Sequence, residues 1–270
     1  MVVALVTGAA RPRGIGRAVA LRMAREGYDV ACLDIAGGPA RTGAAGAATR
    51  DDLADVVAEI ESLGRRALAL PSDVSDEAQV EEAVERASVE LGPISVVANV
   101  AGGTGLGFGL GPLVTLPTEE FRRVLEVNLV GTWLVARACA NRMVAAGIRG
   151  RICNTSSQAS KVGFEGMGAY SASKAGINLL TQVLAKELGP HGISVNAVCP
   201  GTVDTEATRR VAELSLPDAD AVQAYVDSRI PLRRLQSADE IAASIAWLLS
   251  DEAAGVTGES LNVSAGETMV

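Results

Sequence analysis

The sequence has few aromatic residues: phenylalanine, tryptophan and tyrosine together make up 3% of its 270 residues. Hydrophobic residues nevertheless make up 48%, so we expect a sizeable core built from alanine, valine, leucine and isoleucine. His191 is the only histidine. A Ser-His-Asp triad or a two-histidine zinc site therefore has almost nowhere to form, and we interpret His191 as a structural residue in a turn.

Cysteines are also scarce, and the four at positions 32, 139, 153 and 199 form no Cys-x-x-Cys pair. Three of them stand in apolar, strand-like runs typical of buried thiols, so we expect neither a disulfide framework nor a metal site. The net charge of −8 argues against a nucleic-acid partner. No apolar run approaches the length of a membrane span, so we expect a cytoplasmic protein without a membrane partner.

Apolar, strand-like runs alternate with helical patterns along the whole chain. The strand-like runs lie at 2–7, 29–35, 66–74, 94–103, 150–157, 193–201 and 259–266. The helical patterns lie at 14–27, 51–63, 76–91, 118–146, 168–189 and 237–249. Apolar strands separated by helices indicate a parallel sheet covered on both faces. We therefore predict an α/β fold: one domain over residues 1–270, with a Rossmann-type doubly wound sheet of about seven strands.

A glycine-rich stretch, TGAARPRGIG at 7–16, follows the first predicted strand. In doubly wound sheets ligands bind beyond the carboxyl ends of the strands, and glycines there let the backbone approach a pyrophosphate. Glycines also serve ordinary turns, so the loop alone establishes nothing. Asp34 ends the second predicted strand, where a carboxylate can accept hydrogen bonds from a ribose hydroxyl, although by itself it could equally cap a turn.

Other segments of interest follow the remaining strands. They are Asp73-Val74, Asn99-Val100-Ala101-Gly102, Ser157 and Pro200-Gly201. On a predicted helix, the stretch YSASK places Tyr170 and Lys174 four residues apart and so on one face. A cation there would lower the pKa of the tyrosine and allow it to act as general acid or base. An isolated pair of this kind is more often a surface feature.

Taken together, these segments resemble the single-domain short-chain dehydrogenase/reductase family over roughly residues 3–266. The matching elements are Thr7-Gly8 with Gly14-Ile15-Gly16, Asp73, NVAG at 99–102, Asn128 in VNLVG, Ser157, YSASK at 170–174 and PGTVDT at 200–205. The C-terminal stretch from PLRRLQ to NVSAG also resembles the family's pattern. Each motif is weak alone, but their joint order and spacing are very specific.

The resemblance implies a role for each site residue. Tyr170 would exchange a proton with the substrate oxygen, and Ser157 would stabilise that oxygen. Lys174 would hold the nicotinamide ribose and lower the pKa of Tyr170, while Asn128 would support a proton relay through water. The residues expected to bind the cofactor are Gly8, Arg13, Gly14, Ile15, Gly16, Asp34, Asp73, Val74, Asn99, Ala101, Gly102, Tyr170, Lys174, Pro200, Gly201, Val203 and Thr205.

The glycine loop departs from the family's usual spacing, with five residues between Gly8 and Gly14 where three are usual. The extra pair widens the loop at its tip, residues 11–13. Arg11 and Arg13 resemble the basic residues of NADP-using members, whereas Asp34 resembles the acid of NAD-using members. Because a buried like-charge contact outweighs an exposed ion pair, we predict NAD, with NADP less favoured.

Three segments are expected to shape the site. We interpret 35–52 as a surface flap near the adenosine, resembling the insert of a subgroup that holds its nicotinamide tightly. The glycine-rich 102–112 is either a mobile substrate loop or a long connection. Residues 202–231 are expected to form a substrate lid. Its candidate lining residues, which could equally lie on a helix surface, are Val222, Tyr225 and 214–217.

The leading functional hypothesis is an NAD-dependent oxidoreductase that interconverts a secondary alcohol and a ketone. An NADPH-dependent 3-oxoacyl thioester reductase is the alternative within the class. Enoyl reductases share a widened glycine loop, but their tyrosine and lysine are spaced further apart. A non-catalytic dinucleotide-sensing protein is the alternative of another class, opposed by the presence of Asn128, Ser157, Tyr170 and Lys174. The resemblance also implies a homotetramer or homodimer.

Overall fold

The computed structural model describes residues 2–37, 48–215 and 218–270. Its central feature is a seven-stranded sheet with the order β3-β2-β1-β4-β5-β6-β7, in which neighbouring strands are parallel. The strands are β1 (Val3–Thr7), β2 (Asp29–Asp34), β3 (Ala67–Pro71), β4 (Ile94–Asn99), β5 (Arg151–Thr155), β6 (Ser194–Pro200) and β7 (Ser260–Val263). The predicted parallel sheet is confirmed.

Helices cover both faces of this sheet. They are α1 (Ile15–Arg25), α2 (Arg50–Ser62), α3 (Glu77–Glu90), α4 (Thr118–Leu125), α5 (Gly131–Ala145), α6 (Gly168–Leu188), α7 (Glu206–Ser215), α8 (Ala219–Arg229) and α9 (Ala238–Leu248). One core, containing Val19, Val56 and Ile245, joins the sheet to α1, α2 and α9. The other, containing Val84 and Val135, joins it to α3, α5 and α6. The doubly wound α/β fold is therefore confirmed.

The predicted helix from 118 to about 146 is confirmed, with one irregularity. A π turn, Glu126–Val130, joins α4 to α5 without leaving helical backbone angles, and it contains Asn128. The Thr132 hydroxyl of α5 donates a 2.7 Å hydrogen bond to the Asn128 carbonyl oxygen. Apolar periodicity predicts the helix but not the π turn inside it. The helix predicted at 237–249 begins with a capping box, in which Ser237 and Glu240 exchange hydrogen bonds at the start of α9.

The point where the chain changes direction across the sheet lies between β1 and β4. From β1 the chain proceeds to β2 and β3 on one side, and from β4 to β7 on the other. The loops after β1 and β4 therefore diverge and leave a crevice at the carboxyl edge of the sheet. The Thr7 hydroxyl oxygen ties the two strand ends together, accepting hydrogen bonds from the backbone N–H groups of Val100 (2.9 Å) and Ala101 (3.0 Å).

A chain of polar side chains crosses the middle of the sheet. The Asn99 amide donates to the Thr132 carbonyl oxygen on α5 (3.2 Å) and to Asn154 Oδ1 on β5 (3.0 Å). The Asn154 amide in turn donates to the Thr181 hydroxyl on α6 at 2.9 Å. These side chains are buried, so their hydrogen bonds link α5, β4, β5 and α6 within the core.

All four cysteines are buried and have free thiols. Burial raises the pKa of the Cys32 and Cys139 thiols to about 12, because the interior disfavours a thiolate. His191 ends an exposed 3-10 turn. Within the described ranges, no helix combines the length and apolar character needed to cross a bilayer.

Candidate active site

The glycine loop brings the backbone of β1 close to the first turn of α1. Gly8 has a positive φ of 69°, and a Cβ atom on Gly16 would lie 2.1 Å from the Gly8 carbonyl oxygen. Only glycine fits at Gly16 in this arrangement. The N-cap residue of α1, Gly14, has no side chain to satisfy the first N–H groups of the helix, and the first turn carries no acidic residue. This helix terminus is therefore suited to an anionic group such as a phosphate.

The widened part of the loop is held at Ala10, a fully buried residue. Its N–H donates to Asp34 Oδ2 at 3.0 Å, and its carbonyl oxygen accepts a 3.4 Å hydrogen bond from Arg17. Arg17 is itself 8% exposed and bonds both the Asp52 carbonyl oxygen and the Glu59 carboxylate of α2. The loop is thus fixed at Ala10, between β2 and α2, directly before the widened tip at 11–13.

Asp34 and two arginines line the same cavity. Burial raises the pKa of the Asp34 carboxyl, while backbone N–H groups, first that of Ala10, and the charge of Arg11 oppose this rise. Arg11 is partly exposed, and Arg13 is exposed at the loop tip. Asp34, which is predicted to favour NAD, therefore lines the same cavity as Arg11 and Arg13, which are predicted to favour NADP. Asp34 is the most deeply buried of the three.

The first cavity has a volume of about 200 Å³ and lies along the carboxyl edge of β1, β2 and β4. Its lining includes the predicted residues Gly8, Arg13, Gly14, Ile15, Gly16, Asp34, Asp73, Val74, Ala101, Gly102 and Thr205. Asp73 also accepts hydrogen bonds from the backbone N–H and hydroxyl of Ser75, which shape the loop after β3. A glycine-lined helix terminus at one position and a buried carboxylate at another fit the diphosphate and ribose of a dinucleotide.

A second, larger cavity of about 430 Å³ adjoins the first. The two share Ile15, Val100, Gly102, Gly103, Thr104, Thr205 and Ala207 in their linings. The second cavity is also lined by the predicted residues Ser157, Tyr170, Lys174, Pro200, Gly201 and Val203. A molecule in one cavity can therefore touch a molecule in the other, beside Ser157 and Tyr170.

Ser157 and Tyr170 both line the second cavity, and the Ser157 side chain is near enough to the Tyr170 phenol to influence its pKa. Ser157 follows β5 and caps a 3-10 turn, its hydroxyl accepting from the Ala159 N–H at 3.1 Å. Tyr170 stands in the first turn of α6. Burial raises the pKa of the Tyr170 phenol, and the Ser157 side chain opposes that rise. The pair presents two hydroxyl groups to one point of the second cavity, as a proton donor and its supporting partner require.

Lys174 is buried behind this pair, with 3% of its surface exposed. Its Nζ donates to the Thr155 carbonyl oxygen at 2.7 Å and lies 5.6 Å from the centre of the Tyr170 ring. Burial lowers the pKa of Lys174 to about 8, because the interior disfavours the cation. Burial raises the Tyr170 pKa overall, and the expected lowering of this pKa by Lys174 stays a prediction.

Asn128 and Asn99 lie behind the cavity walls. Asn128 is fully buried; its Oδ1 accepts from the Gly103 N–H at 2.8 Å, and its amide donates to the Gly103 carbonyl oxygen and the Ser173 hydroxyl, both at 3.0 Å. Neither asparagine belongs to the lining of the two cavities. The expected water relay through Asn128 stays a prediction, and the contacts of its side chain are with the loop after β4 and with α6.

Two residues of this region were missed by sequence reasoning. Arg17 supports the widened loop through Ala10, and Glu267 joins two separate lining segments. Glu267 accepts from the Thr202 N–H (2.9 Å) and hydroxyl (3.0 Å) and from the Tyr225 hydroxyl (2.6 Å). The position of Arg17 directly after the Gly-Ile-Gly turn is a weak sequence signal for a role in the loop. For Glu267 the sequence gives no such signal, because its partners lie 42 and 65 residues away.

Of the predicted lid residues, Val222 and Tyr225 line the second cavity, together with Thr208 and Ala212 of α7. The predicted contacts of 214–217 lie outside what the structure describes, as does most of the flap predicted at 35–52, over residues 38–47. The glycine-rich 102–112 folds back on itself, with Phe108 fully buried and its backbone paired with Gly105. Among the described residues, no group of three or more potential metal ligands comes together.

Comparison with known proteins gives consistent matches over nearly the whole chain. A family model described as enoyl-(acyl carrier protein) reductase matches residues 8–268. A short-chain dehydrogenase/reductase of Armillaria gallica is 36% identical over 98% of this chain and 95% of its own length. The (3R)-3-hydroxyacyl-CoA dehydrogenase of Rattus norvegicus is 38% identical over 97% and 95%. Carveol dehydrogenase from Mycobacterium avium, solved in complex with NAD, superposes with a TM-score of 0.91 at 32% identity, covering 98% of this chain and 96% of that one.

Proposed function

The chain belongs to the short-chain dehydrogenase/reductase family and is an oxidoreductase acting on CH–OH groups, and from this premise we propose that it interconverts a secondary alcohol and a ketone with NAD. The observation that carries the proposal is that Ser157, Tyr170 and Lys174 line one cavity, which adjoins the glycine-lined one. That juxtaposition puts proton transfer and hydride transfer within reach of one carbon–oxygen bond.

The chain's own residues divide the work. A dinucleotide would be held by the glycine loop and Asp34 in the first cavity and by Lys174 in the second, and its nicotinamide would supply or accept the hydride. Tyr170 gives the matching proton to the ketone oxygen, or takes it from the alcohol. Ser157 hydrogen-bonds that oxygen and stabilises its developing negative charge. Lys174, whose pKa is lowered to about 8, holds the cofactor's ribose beside Tyr170, and Asn128 keeps the loop at Gly102 and Gly103 in position.

Asp34 supports NAD as the cofactor. Its carboxylate is 8% exposed, and its Oδ2 is oriented by the Ala10 N–H. A 2′-phosphate brought against a buried carboxylate would meet repulsion that the exposed Arg13 compensates poorly. The M. avium structure was solved with NAD, which favours the same choice.

An NADPH-dependent 3-oxoacyl thioester reductase is the second candidate. Arg11 and Arg13 lining the first cavity favour it. So does the relationship to the rat (3R)-3-hydroxyacyl-CoA dehydrogenase.

The proposal extends to the arrangement of the chain. We propose one dinucleotide-binding domain over residues 1–270, with 202–231 acting as a lid over the second cavity. Trp133 on α5 and Leu179 and Val183 on α6 are exposed apolar side chains, which supports assembly through these helices into a homodimer or homotetramer. A cytoplasmic location stays a prediction.

Fluorescence titration with NADH and NADPH, followed by turnover assays of Tyr170→Phe, tests this function. We expect tighter binding of NADH, and a Tyr170→Phe variant that binds NADH normally but loses about 10²–10⁴-fold in kcat. Tighter NADPH binding would favour the thioester reductase. Undiminished turnover by Tyr170→Phe would contradict the role of Tyr170, and binding without turnover of any alcohol or ketone would favour a sensor.

A further inference from the structure

The lining of the second cavity contains two chemically different groups of residues. One group carries hydroxyl groups and includes Ser157 and Tyr170. The other group, which we call the apolar lining, consists of Phe164, Met167, Val222, Val226 and Leu235. These side chains come from the segment before α6, from α8 and from the connection to α9. A substrate oriented with its oxygen at Tyr170 can therefore place hydrocarbon against the apolar lining.

Charge is nearly absent from this lining. Among the described lining residues of the second cavity, Lys174 is the only Asp, Glu, Lys, Arg or His. Its Nζ already donates to the Thr155 carbonyl oxygen. A carboxylate or phosphate brought against the apolar lining would lose its hydration, and among the described lining residues only Lys174 could pair with it. The Glu267 carboxylate, which accepts hydrogen bonds from the lining residues Tyr225 and Thr202, would repel such a group.

Several hydroxyl groups of the lining already have hydrogen-bond partners. Those of Tyr225 and Thr202 donate to Glu267, and those of Thr205 and Thr208 are hydrogen-bonded to each other at 3.0 Å. Their oxygens keep lone pairs to which a substrate hydroxyl can donate, but they have few O–H groups left to donate in return. The lining therefore disfavours anions strongly, and polyols and sugars less strongly.

We infer that the substrate is a compact, uncharged and mainly hydrocarbon secondary alcohol, or the corresponding ketone. The inference rests on the proposed function, since it takes Tyr170 as the anchor of the oxygen. The cavity volume of about 430 Å³ stands in the lower part of the range for small-molecule sites. Because expected cofactor contacts such as Lys174 and Gly201 line the same cavity, the cofactor would take part of this volume, and the space left fits a compact molecule.

Three ring ketones that differ only at the carbon opposite the carbonyl test the inference: 4-methylcyclohexanone, 4-hydroxycyclohexanone and 4-oxocyclohexanecarboxylate. For each we would measure kcat/KM of NADH oxidation and, separately, the thermal stabilisation of the NADH-bound protein. We expect kcat/KM for the methyl compound to exceed that for the hydroxyl compound about 10-fold and that for the carboxylate at least about 100-fold. Thermal stabilisation should follow the same order.

A charge introduced into the wall sharpens the test. Ala212 on α7 lines the second cavity, so Ala212→Lys would give a carboxylate a partner there. We expect the preference for the methyl compound over the carboxylate to fall at least about 10-fold in this variant. Ala224→Lys is the matched control, because Ala224 is exposed on α8 and absent from the lining, and it should leave the preference unchanged.

The outcomes separate the two proposals. Stabilisation by the methyl compound without turnover of any ketone would support the substrate class and overturn the proposed function. Turnover in which the carboxylate equals or exceeds the methyl compound would overturn the substrate class and leave the function standing. Absence of stabilisation by all three compounds, or an unchanged preference in Ala212→Lys, would also overturn the substrate class.

Discussion

The hydroxyl of Tyr225 donates a 2.6 Å hydrogen bond to Oε1 of Glu267, and through it α8 is attached to the C-terminal segment of the chain. The same carboxylate accepts two hydrogen bonds from Thr202, at the beginning of the proposed lid. One side chain therefore joins both ends of the wall that closes the second cavity. Hydrogen bonds to a charged group contribute about 1.5–3 kcal/mol each, so Glu267 is expected to set how firmly this wall is held.

Replacing Glu267 by alanine should weaken substrate binding more than the chemical step. Tyr225 and Thr202 would lose their acceptor, and the wall would close less often around the substrate. We expect KM for a ketone substrate to rise about 10-fold while kcat changes much less. Steady-state kinetics with saturating NADH measures both, and Glu252→Ala, which removes an exposed acid elsewhere, is the control. A KM equal to that of the wild type would contradict this role.

Lys174 should make stability depend on pH in a defined window. The pKa of its ammonium group is 10.5 in the unfolded chain and about 8 in the folded protein. Below pH 8 both states hold the proton, and the cost of burying the cation is fully present. Between pH 8 and 10.5 the unfolded chain holds more protons, so this residue makes the free energy of unfolding rise with pH.

Lys174→Met removes that titration. We expect the stability of the variant relative to wild type to be greatest below pH 8, and to shrink by up to about 3 kcal/mol as the pH approaches 10.5. Urea unfolding from pH 7 to 10 measures the difference. The buried cysteines, whose raised pKa values lower the free energy of unfolding at high pH, contribute equally to both proteins. Their contribution therefore cancels in the difference. A difference that does not vary with pH would show that Lys174 is not desolvated.

A methyl group at Gly16 should abolish cofactor binding. Its Cβ would lie 2.1 Å from the Gly8 carbonyl oxygen, so the loop and the first turn of α1 would have to separate. We expect Gly16→Ala to raise the Kd for NADH at least about 100-fold, since the helix terminus would no longer face the first cavity. Gly189→Ala is the control, because Gly189 has a helical φ and no heavy atom near the added Cβ. Normal NADH titration of Gly16→Ala would contradict the loop geometry.

Arg17→Ala should loosen the widened loop without touching the reacting groups. The variant leaves the Ala10 carbonyl oxygen and the Glu59 carboxylate without their partner. We expect the Kd for NADH to rise about 10-fold and the free energy of unfolding to fall by about 1–3 kcal/mol. Arg25→Ala, at an exposed position of the same helix, provides the comparison for both measurements. Equal effects of Arg17→Ala and Arg25→Ala on Kd and stability would contradict a specific role of Arg17 in holding the glycine loop.

Much of this architecture follows from local pattern in the sequence. Each strand is a short apolar run, and α9 begins where the Ser237–Glu240 box predicts, because such signals depend on neighbouring residues alone. Ser157 is predicted as a site residue because it follows a strand, and Tyr170 because it precedes Lys174 by four residues on a predicted helix. Their roles are implied by the resemblance to the family.

The remainder depends on contacts between distant residues. The π turn at Asn128 is held by bonds to Gly103 and Ser173, 25 and 45 residues away. Asn99 ends β4 at the edge of the crevice, yet its amide points to Thr132 and Asn154 inside the core. Lys174 was identified by spacing, but its altered pKa is a result of burial, which no local pattern reports.

The polar chain of Asn99, Asn154 and Thr181 limits sliding between the elements that carry the site. Two hydrocarbon surfaces can pack at several offsets with similar energy, whereas buried amide groups are satisfied at one. A one-residue slip of α6 against β5 would part Asn154 from Thr181 and would carry Tyr170 and Lys174 out of alignment with Ser157. These buried hydrogen bonds therefore fix the relative position of α6 and β5. Residues that do not line either cavity keep Tyr170 aligned with Ser157 at the end of β5.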